Sequence, residues 1–312
     1  MEPGLLKSAD WPLLIDVYFF LGGIAGGAFV IATIANLFGS ERYKSVVRVG
    51  YYVALLAVIP APILLIVDLG IPTRFLHMLM VPKPSTAIGA GALTLGPFHL
   101  KPLSPMSAGA WALLVFSGCA FLAALDVLLE QRGGRGFPAL RMVIGLIGSV
   151  FGLFLAAYPG VLLGASARPL FVNGHWLGAL FLAVGASTGA AMIALVLAVT
   201  SGERRDALGA LMRTVAVALV VQAIALVLFV VTVKMSGSVG ISRALAPLLS
   251  GEYSLTFWLG AVLVGLVVPL ALQFAGGGLR RASAGITALV AILVLVGGFV
   301  IKYVLIAAGQ AT

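Results

Sequence analysis

Titratable side chains that interrupt apolar sequence are the first candidates for chemistry. Asp68 ends a run with no charge from Ile59 to Val67, and Arg74 and His77 follow it. An ionisable group at the end of such a run is costly to bury and indicates a functional role by default. An imidazole titrates near neutral pH and suits proton delivery. A purely structural Asp–Arg pair is the alternative interpretation.

A second group of polar residues lies further along the chain. Tyr158 precedes Pro159, and Arg168 follows shortly after. A proline within a helix removes a backbone donor and frees the carbonyl about four residues earlier. A phenol beside such a kink can donate a hydrogen bond to the oxygen of a ligand. A tyrosine that only packs beside the kink is the alternative.

The first apolar stretch combines polar residues with two overlapping Gly-xxx-Gly pairs within residues 22–27. Glycines four residues apart expose bare backbone for close helix packing, and room for a flat ligand ring is the alternative. Asp16 and Tyr18 project about 200° apart on a helix, so one pocket is not expected to hold both. Tyr18 shares a face with Gly22, although an aromatic residue here also fits an interfacial belt.

Metal and haem sites are not predicted. The three histidines, His77, His99 and His175, are not paired at helical spacing, and none lies in the middle of an apolar stretch. A membrane haem of the b type needs two facing histidines, and this pattern is absent from the sequence. The single cysteine, Cys119, cannot form a thiolate cluster or an internal disulfide. We interpret it as a small apolar packing residue.

Composition identifies the class of protein. The 312 residues are 62% hydrophobic and only 9% charged, whereas a soluble domain carries about 25% charged residues. A helix needs roughly 20 apolar residues to cross a bilayer. The sequence therefore predicts an all-α integral membrane protein with about eight transmembrane helices and a first helix that is retained rather than cleaved. The predicted spans are 14–38, 46–68, 106–129, 139–165, 171–199, 212–235, 255–275 and 283–307.

The net charge of +9 is unevenly distributed among the loops. Most basic residues follow odd-numbered spans, where the loops are short and the positive-inside rule is most reliable. Both termini are therefore expected on the outer, non-cytoplasmic side, and the excess charge indicates orientation rather than nucleic-acid binding. The residues concerned are Arg42, Lys44, Arg48, Arg132, Arg135, Arg141, Arg204, Arg205, Arg213, Arg280 and Arg281.

The longest connection, residues 69–105, belongs to the predicted outer face. It contains several prolines and glycines and many apolar residues. A connection of this length is usually functional or disordered, and its apolar content favours a folded loop. We expect residues 74–105 to contact a partner.

Five of these segments, in order, resemble the membrane subunits of the NrfD / polysulfide-reductase (PsrC-like) type. No single motif is specific for this family. Five motifs in the right order, in a sequence with eight predicted spans, are specific for it. They lie at Tyr18–Ala28, Asp68–Phe75, Ser104–Trp111, Tyr158–Leu170 and Gly297–Gln310.

The resemblance implies a single polytopic domain over residues 1–312, made of two four-helix bundles. The first bundle, about residues 14–165, would carry a quinone site, and the second would cover about residues 171–307. Such subunits lie in a bacterial or archaeal cytoplasmic membrane, lack haem and use menaquinone or ubiquinone. The implied partners are a ferredoxin-like 4Fe–4S subunit and a molybdopterin catalytic subunit, and proton translocation stays open.

The resemblance also implies roles for individual residues. Tyr158 matches the quinone-binding tyrosine, and Ile15 and Tyr18 fall near the ligand face of the first helix. Asp68 matches an acidic residue below the pocket, and Lys302 stands where relatives often have arginine.

The remaining candidates extend this site. Tyr158 and His77 are expected to act on the two quinone oxygens. Asp16, Arg74 and Arg168 are expected to surround the pocket. Asp68 and Lys302 are the expected proton path, with Asp68 paired to Arg74 or Lys302.

Two other functions remain open. A passive anchor without a quinone site would leave the polar residues near Tyr158 dispensable. A transporter would suit the prolines at 60, 62 and 159, but the two halves of the sequence show no internal symmetry.

Overall fold

The structure, a computed structural model, describes residues 11–39, 41–80, 93–101, 104–166, 168–200, 205–236, 240, 243–275 and 283–311. Its helices in sequence order are α1 (Leu13–Phe38), α2 (Lys44–Val58), α3 (Pro60–Asp68), α4 (His77–Met80), α5 (Pro105–Gln131), α6 (Pro138–Gly164), α7 (Pro169–Val172), α8 (Leu177–Thr200), α9 (Arg205–Lys234), α10 (Ala246–Leu249), a π-helix (Thr256–Val267), α11 (Val268–Ala275) and α12 (Ala284–Gln310). Short 3₁₀ turns lie at Glu41–Tyr43 and Pro72–Arg74.

Eight helical segments in the described ranges are long and apolar enough to cross a membrane, which confirms the predicted fold class. The predicted start of the fifth span at residue 171 is wrong. Residues 169–172 form the separate helix α7, which a turn at Asn173 and Gly174 ends before α8 begins at Leu177. The sixth span, helix α9, begins at Arg205, earlier than the predicted start at residue 212. Its first turns are polar and lack the hydrophobicity on which the prediction relied.

Local sequence sets the ends of several spans. Ser104 accepts a hydrogen bond from the backbone N–H of Ser107, and Pro105 occupies the first position of α5. Ser283 caps α12 in the same way through Ile286. A serine cap satisfies one of the free donors of the first turn, and proline is tolerated there because its missing donor is not needed.

The described part of the 69–105 connection is folded. It contains the 3₁₀ turn, α4 and a two-stranded antiparallel sheet, β1 (Leu93–Leu95) and β2 (Phe98–Leu100), joined through Gly96 at a φ of 59°. The Trp111 indole N–H donates to the His99 carbonyl at 3.3 Å, which fastens this hairpin to α5. Within the described residues this sheet is the one departure from an all-α fold.

Helix α1 is the centre of the packing. It lies against α2, α6, α8 and α12. A Cβ atom added to Gly26 would overlap the backbone of Gly152 in α6, and one added to Gly27 would overlap Gly185 in α8. The packing interpretation of the glycine pairs is therefore correct, because neighbouring helices occupy the space that a flat ligand ring would need.

The first and last described helices meet at one side of the molecule, around Trp11 and Gln310, which we call the terminal side. Gln310 accepts a hydrogen bond from the Trp11 backbone N–H at 2.6 Å and returns one to the Trp11 carbonyl at 3.2 Å. These two hydrogen bonds hold the end of the last helix against the start of the first helix. The tight loops after α1 and α5 lie on the other side, which we call the basic side.

The basic side is stabilised by a partly buried ion-pair cluster between α5 and α6. Arg141 lies 3.2 Å from Asp126 and donates to Glu130 at 2.6 Å. Asp126 also accepts from the backbone N–H of Phe137 at 2.8 Å. Removing one member of such a cluster leaves an uncompensated charge, so we interpret these residues as structural.

Candidate functional site

The interface of α1 and α6 brings together three of the predicted ligand residues. Ile15 and Tyr18 share one face of α1 with Gly22, and Gly22 packs against Leu155 of α6. Tyr158 lies one helical turn beyond Leu155 towards the terminal side, close enough to Tyr18 for the two phenols to interact electrostatically. Tyr18 and Tyr158 are therefore neighbours at the terminal end of this interface.

The Tyr158 ring is held between three helices. It stacks on Phe154 of its own helix with ring centres 5.6 Å apart. On the other side it fills the space left by Gly109 of α5, where an added Cβ atom would lie 2.6 Å from the tyrosine oxygen. Helix α6 continues through Pro159 to Gly164, so the ring is positioned by packing rather than by a break in the helix.

The two phenols are buried but keep free hydrogen-bonding capacity. Tyr18 is 3% exposed and Tyr158 is 6% exposed. Neither hydroxyl group bonds to another residue in the described part of the molecule. Each hydroxyl group is therefore available to bond the oxygen of a ligand.

Asp16 projects from a different face of α1. It is 3% exposed, and its Oδ1 atom is fully buried without a hydrogen-bond partner among the described residues. Phe20, one turn below on the same face, packs edge-on against Phe299 of α12 with ring centres 5.5 Å apart. Asp16 therefore faces the last helix, which agrees with the expectation that it does not share a pocket with Tyr18.

Lys302 is fully buried where α1, α8 and α12 meet. Its ammonium group donates to the Phe19 carbonyl at 2.6 Å and lies 5.2 Å from the centre of the Phe181 ring. Gly23 makes room for it, because an added Cβ atom would lie 2.7 Å from Nζ. No carboxylate forms an ion pair with Lys302 among the residues that the structure describes.

The predicted pairing of Asp68 is wrong. Asp68, Arg74 and His77 are all exposed at the terminal side, beyond the end of α3. Within the described ranges Asp68 bonds neither to Arg74 nor to Lys302. The charge-free run before Asp68 suggested burial, but the helix ends there and the connection leads the side chain away from the packed interior.

Arg168 is half-buried at the terminal ends of α6 and α12. Its guanidinium donates to the Gln310 carbonyl at 2.7 Å. This arginine therefore helps to hold the end of the last helix in place beside the first helix. Its predicted place near the quinone stays a prediction.

A separate cavity of about 580 Å³ opens between α8 and α9. Its lining is apolar except for Arg213 and Thr214, and it contains none of the predicted site residues. We place the candidate site at Tyr158 instead, because the buried Tyr18 and Tyr158 side chains are neighbours there and their hydroxyl groups bond to no other described residue. No group of three or more potential metal ligands occurs among the described residues.

Three residues that shape these sites were not predicted from the sequence. Gly109 and Phe154 hold the Tyr158 ring, and Phe181 faces the Lys302 ammonium group. Phe154 lies one turn before Tyr158 and could have been found from helical spacing. The other two contacts join distant parts of the sequence, and spacing carries no signal for them.

Comparisons with known proteins identify the family of the chain. The family described as "Polysulphide reductase, NrfD" matches residues 2–312. A polysulfide reductase chain of Wolinella succinogenes is 28% identical over 316 residues, covering 96% of the present sequence and 93% of the relative. The NrfD homologue of Haemophilus influenzae is 24% identical over 320 residues, covering 97% of the present sequence and 95% of the relative.

A third relative matches only in part. A selenate reductase subunit of Mesobacillus selenatarsenatis is 24% identical over 84 residues, which is 27% of the present sequence and 20% of the relative. The family match spans almost all 312 residues, and the eight apolar helices agree with a multi-pass membrane protein. The chain belongs to the NrfD polysulphide reductase family.

Proposed function

We propose that this protein is the membrane subunit of a respiratory oxidoreductase complex and exchanges electrons between a membrane quinone and a 4Fe–4S partner subunit. That partner would pass electrons to or from a molybdopterin catalytic subunit. Relatives named as parts of polysulfide and selenate reductases support the membership of a complex. The observation that carries the quinone site is the pair of buried side chains of Tyr18 and Tyr158, whose hydroxyl groups bond to no other residue in the described ranges.

The proposed chemistry uses a phenol as both donor and acceptor. Tyr158 would donate to a quinone carbonyl oxygen and accept from the quinol hydroxyl that replaces it. Tyr18, its neighbour, would contact the same ring, with Ile15 as an apolar wall. Oxidation of the quinol would release two protons, one from each hydroxyl group, and two electrons, which would leave through the clusters of the partner. Reduction of the quinone would take up two protons and two electrons in the reverse direction.

His77, Asp68 and Arg74 would act at the mouth of this site rather than inside it. All three are exposed on the terminal side in the isolated protein. A partner seated on this surface would bury them, and His77 could then exchange protons with the site. We propose this surface as the docking site of the iron–sulfur subunit.

Exposed apolar residues support this docking surface. Ile71, Phe75 and Leu76 are 50%, 43% and 44% exposed, and they lie beside the exposed Arg74 and His77. Apolar side chains grouped with charged ones beyond the end of a span are typical of a partner interface. Residues 81–92 of the same connection lie outside the described residues.

Replacing both Phe75 and Leu76 with serine should weaken co-purification of the iron–sulfur subunit by about tenfold or more, because a few central apolar residues dominate most interfaces. Phe38 is 85% exposed on the basic side, so Phe38→Ser serves as the matched control. The measurement is the ratio of the iron–sulfur subunit to this membrane protein after affinity purification. An unchanged ratio in the double variant would place these side chains in the lipid headgroup region instead.

The terminal side is proposed to face outwards. The tight loops after α1 and α5 carry arginines, and the positive-inside rule assigns such loops to the cytoplasm. A cysteine introduced at exposed Thr73 should react with an impermeant thiol reagent in intact cells, whereas one at exposed Arg135 should not. Labelling of only the cysteine at position 135 would reverse the orientation. Cys119 is first replaced with serine to remove the native thiol.

The proposed function is tested by separating its two activities. The complex is purified with and without this membrane protein, and electron transfer is measured from a quinol analogue and from a soluble dye. We expect its loss to abolish quinol-linked transfer and to leave dye-linked transfer intact. If quinol-linked transfer persists without it, the quinone site lies elsewhere and this protein is a passive anchor.

A further inference from the structure

The cavity between α8 and α9 has one charged side chain in its lining, Arg213. Val217 and Val221, which also line it, are 64% and 49% exposed, so the cavity opens towards the lipid rather than into the bundle. Most of the remaining wall is made of small apolar side chains, among them Ala179, Ala183, Ala186 and Ala218. An apolar cavity on the lipid-facing surface of a transmembrane protein suits a hydrocarbon chain.

The two helices fix the direction of this cavity relative to the membrane. Helix α8 ends at Thr200 and α9 begins at Arg205, so the pair forms an antiparallel hairpin. The Ser187 hydroxyl donates to the Gln222 side chain at 3.0 Å, which marks a level where the two helices meet. The lining residues of α8 lie on the terminal side of this level, and those of α9 lie on its basic side. The cavity therefore runs along the membrane normal, with Arg213 at its basic end.

Arg213 lies at the depth of the lipid headgroups. The residues that follow it, 214–233, carry no charge. At 1.5 Å per residue this run spans about 30 Å, which is the thickness of the hydrocarbon core of a bilayer. Arg213 stands directly before the run and Lys234 directly after it. The guanidinium group of Arg213 is therefore level with the phosphates of the leaflet on the basic side.

The charge of Arg213 is available for a ligand. The side chain is exposed, and its Nε atom donates to the Gly209 carbonyl of its own helix at 3.3 Å. No carboxylate forms an ion pair with Arg213 among the residues whose side chains the structure describes. The neighbouring Thr214 hydroxyl donates to the Ala210 carbonyl at 3.2 Å. A phosphate group would supply the missing negative charge, and a guanidinium group can bind it through two parallel hydrogen bonds.

We propose that this cavity binds one anionic phospholipid, with its phosphate on Arg213 and one acyl chain in the cavity. The chains of one leaflet extend about 15 Å, half of the hydrocarbon core. From Arg213 this distance reaches the level of Gln222, where Ala186 of α8 joins the lining. A neutral quinone would leave the charge of Arg213 uncompensated, and an apolar helix from a second copy of the chain would bury it. The proposal does not rest on the quinone site.

The test is photolabelling of the purified complex with phosphatidylglycerol that carries a diazirine on one acyl chain, followed by peptide mapping. Phosphatidylcholine with the same diazirine is the zwitterionic comparison. A diazirine next to the headgroup should label α9 around Val217, and one at the chain end should label α8 around Ala186. Phosphatidylglycerol should label these positions about fivefold more than phosphatidylcholine, the ratio expected for one arginine beside an anionic lipid.

Variants of the arginine separate its charge from the shape of the cavity. Arg213→Gln should remove the preference for phosphatidylglycerol and leave labelling by phosphatidylcholine unchanged. Arg213→Lys should retain most of the preference, because the charge is kept. Arg135 is exposed on the basic side and does not line the cavity, so Arg135→Gln is the matched control. If Arg213→Gln does not assemble, the comparison of the two lipids in wild type and in Arg213→Lys tests the proposal.

Equal labelling of the cavity by the two lipids in the wild type would overturn the proposal, and so would an unchanged preference in Arg213→Gln. A cavity that neither lipid labels would overturn it in favour of a protein helix as the occupant. Loss of the phosphatidylglycerol label on addition of excess quinol would overturn it in favour of a quinone.

Discussion

Replacing Tyr158 with phenylalanine should lower quinol-linked turnover by about 10²–10⁴-fold, the range that general acid–base assistance contributes. The Tyr158 hydroxyl makes no hydrogen bond within the described residues, so its removal breaks no hydrogen bond among them. Loss of a single neutral hydrogen bond to the ligand weakens binding by about tenfold at most. The larger part of the effect is therefore expected in turnover, and it reflects proton transfer by the phenol.

The control for this experiment is another buried tyrosine. Tyr51 is fully buried on α2, and its hydroxyl lies 3.3 Å from that of Thr33, away from the candidate site. Tyr51→Phe should leave quinol-linked turnover close to wild type, and dye-linked turnover should persist in both variants. Unaltered quinol-linked turnover in Tyr158→Phe would make Tyr158 a packing residue.

Replacing Gly109 with valine should lower quinol-linked turnover by about 10²-fold, although no hydroxyl group is removed. An added Cβ atom at Gly109 would lie 2.6 Å from the Tyr158 oxygen, so the ring must move away from α5. A displacement of about 1 Å at a reacting group can cost this much activity. The quinol titration is also expected to shift, because the ring leaves its place beside Tyr18.

Helix α5 itself supplies the control for this variant. Gly118 is exposed on the same helix, and a Cβ atom added there meets nothing within 4 Å. Gly118→Val therefore introduces the same residue into the same helix without touching the site. Equal turnover in Gly109→Val and wild type would show that the position of the Tyr158 ring does not matter for quinol oxidation.

The spans were predictable from the sequence because a bilayer imposes a length and a polarity on each helix. The fifth span was placed too early because hydropathy does not register a turn: Asn173 and Gly174 end α7 while their neighbours remain apolar. The glycine spacing predicted that Gly27 makes a close contact with another helix. It did not predict that this helix is α8, because the spacing within one helix does not identify the helix that packs against it.

The candidate site was predicted only in part. Tyr18 and Tyr158 are buried neighbours near the ends of their helices, and their contact with a quinone stays a prediction. Asp68 does not lie with them, because a charge at the end of an apolar run can face the interior or the solvent. The hydropathy of the run is the same in both cases. The position of Lys302 depends on a backbone carbonyl of α1. A sequence pattern carries no information about a contact of this kind.

The position of the quinone can be measured by photolabelling of the complex with a quinone analogue that carries a photoreactive group on its ring, followed by peptide mapping. We expect label on α1 near Tyr18 and on α6 near Tyr158, and we expect excess quinol to prevent it. The cavity between α8 and α9 provides the competing location. Quinol-sensitive label confined to that cavity, around Ala183 and Val217, would contradict the assignment of the quinone site to Tyr158.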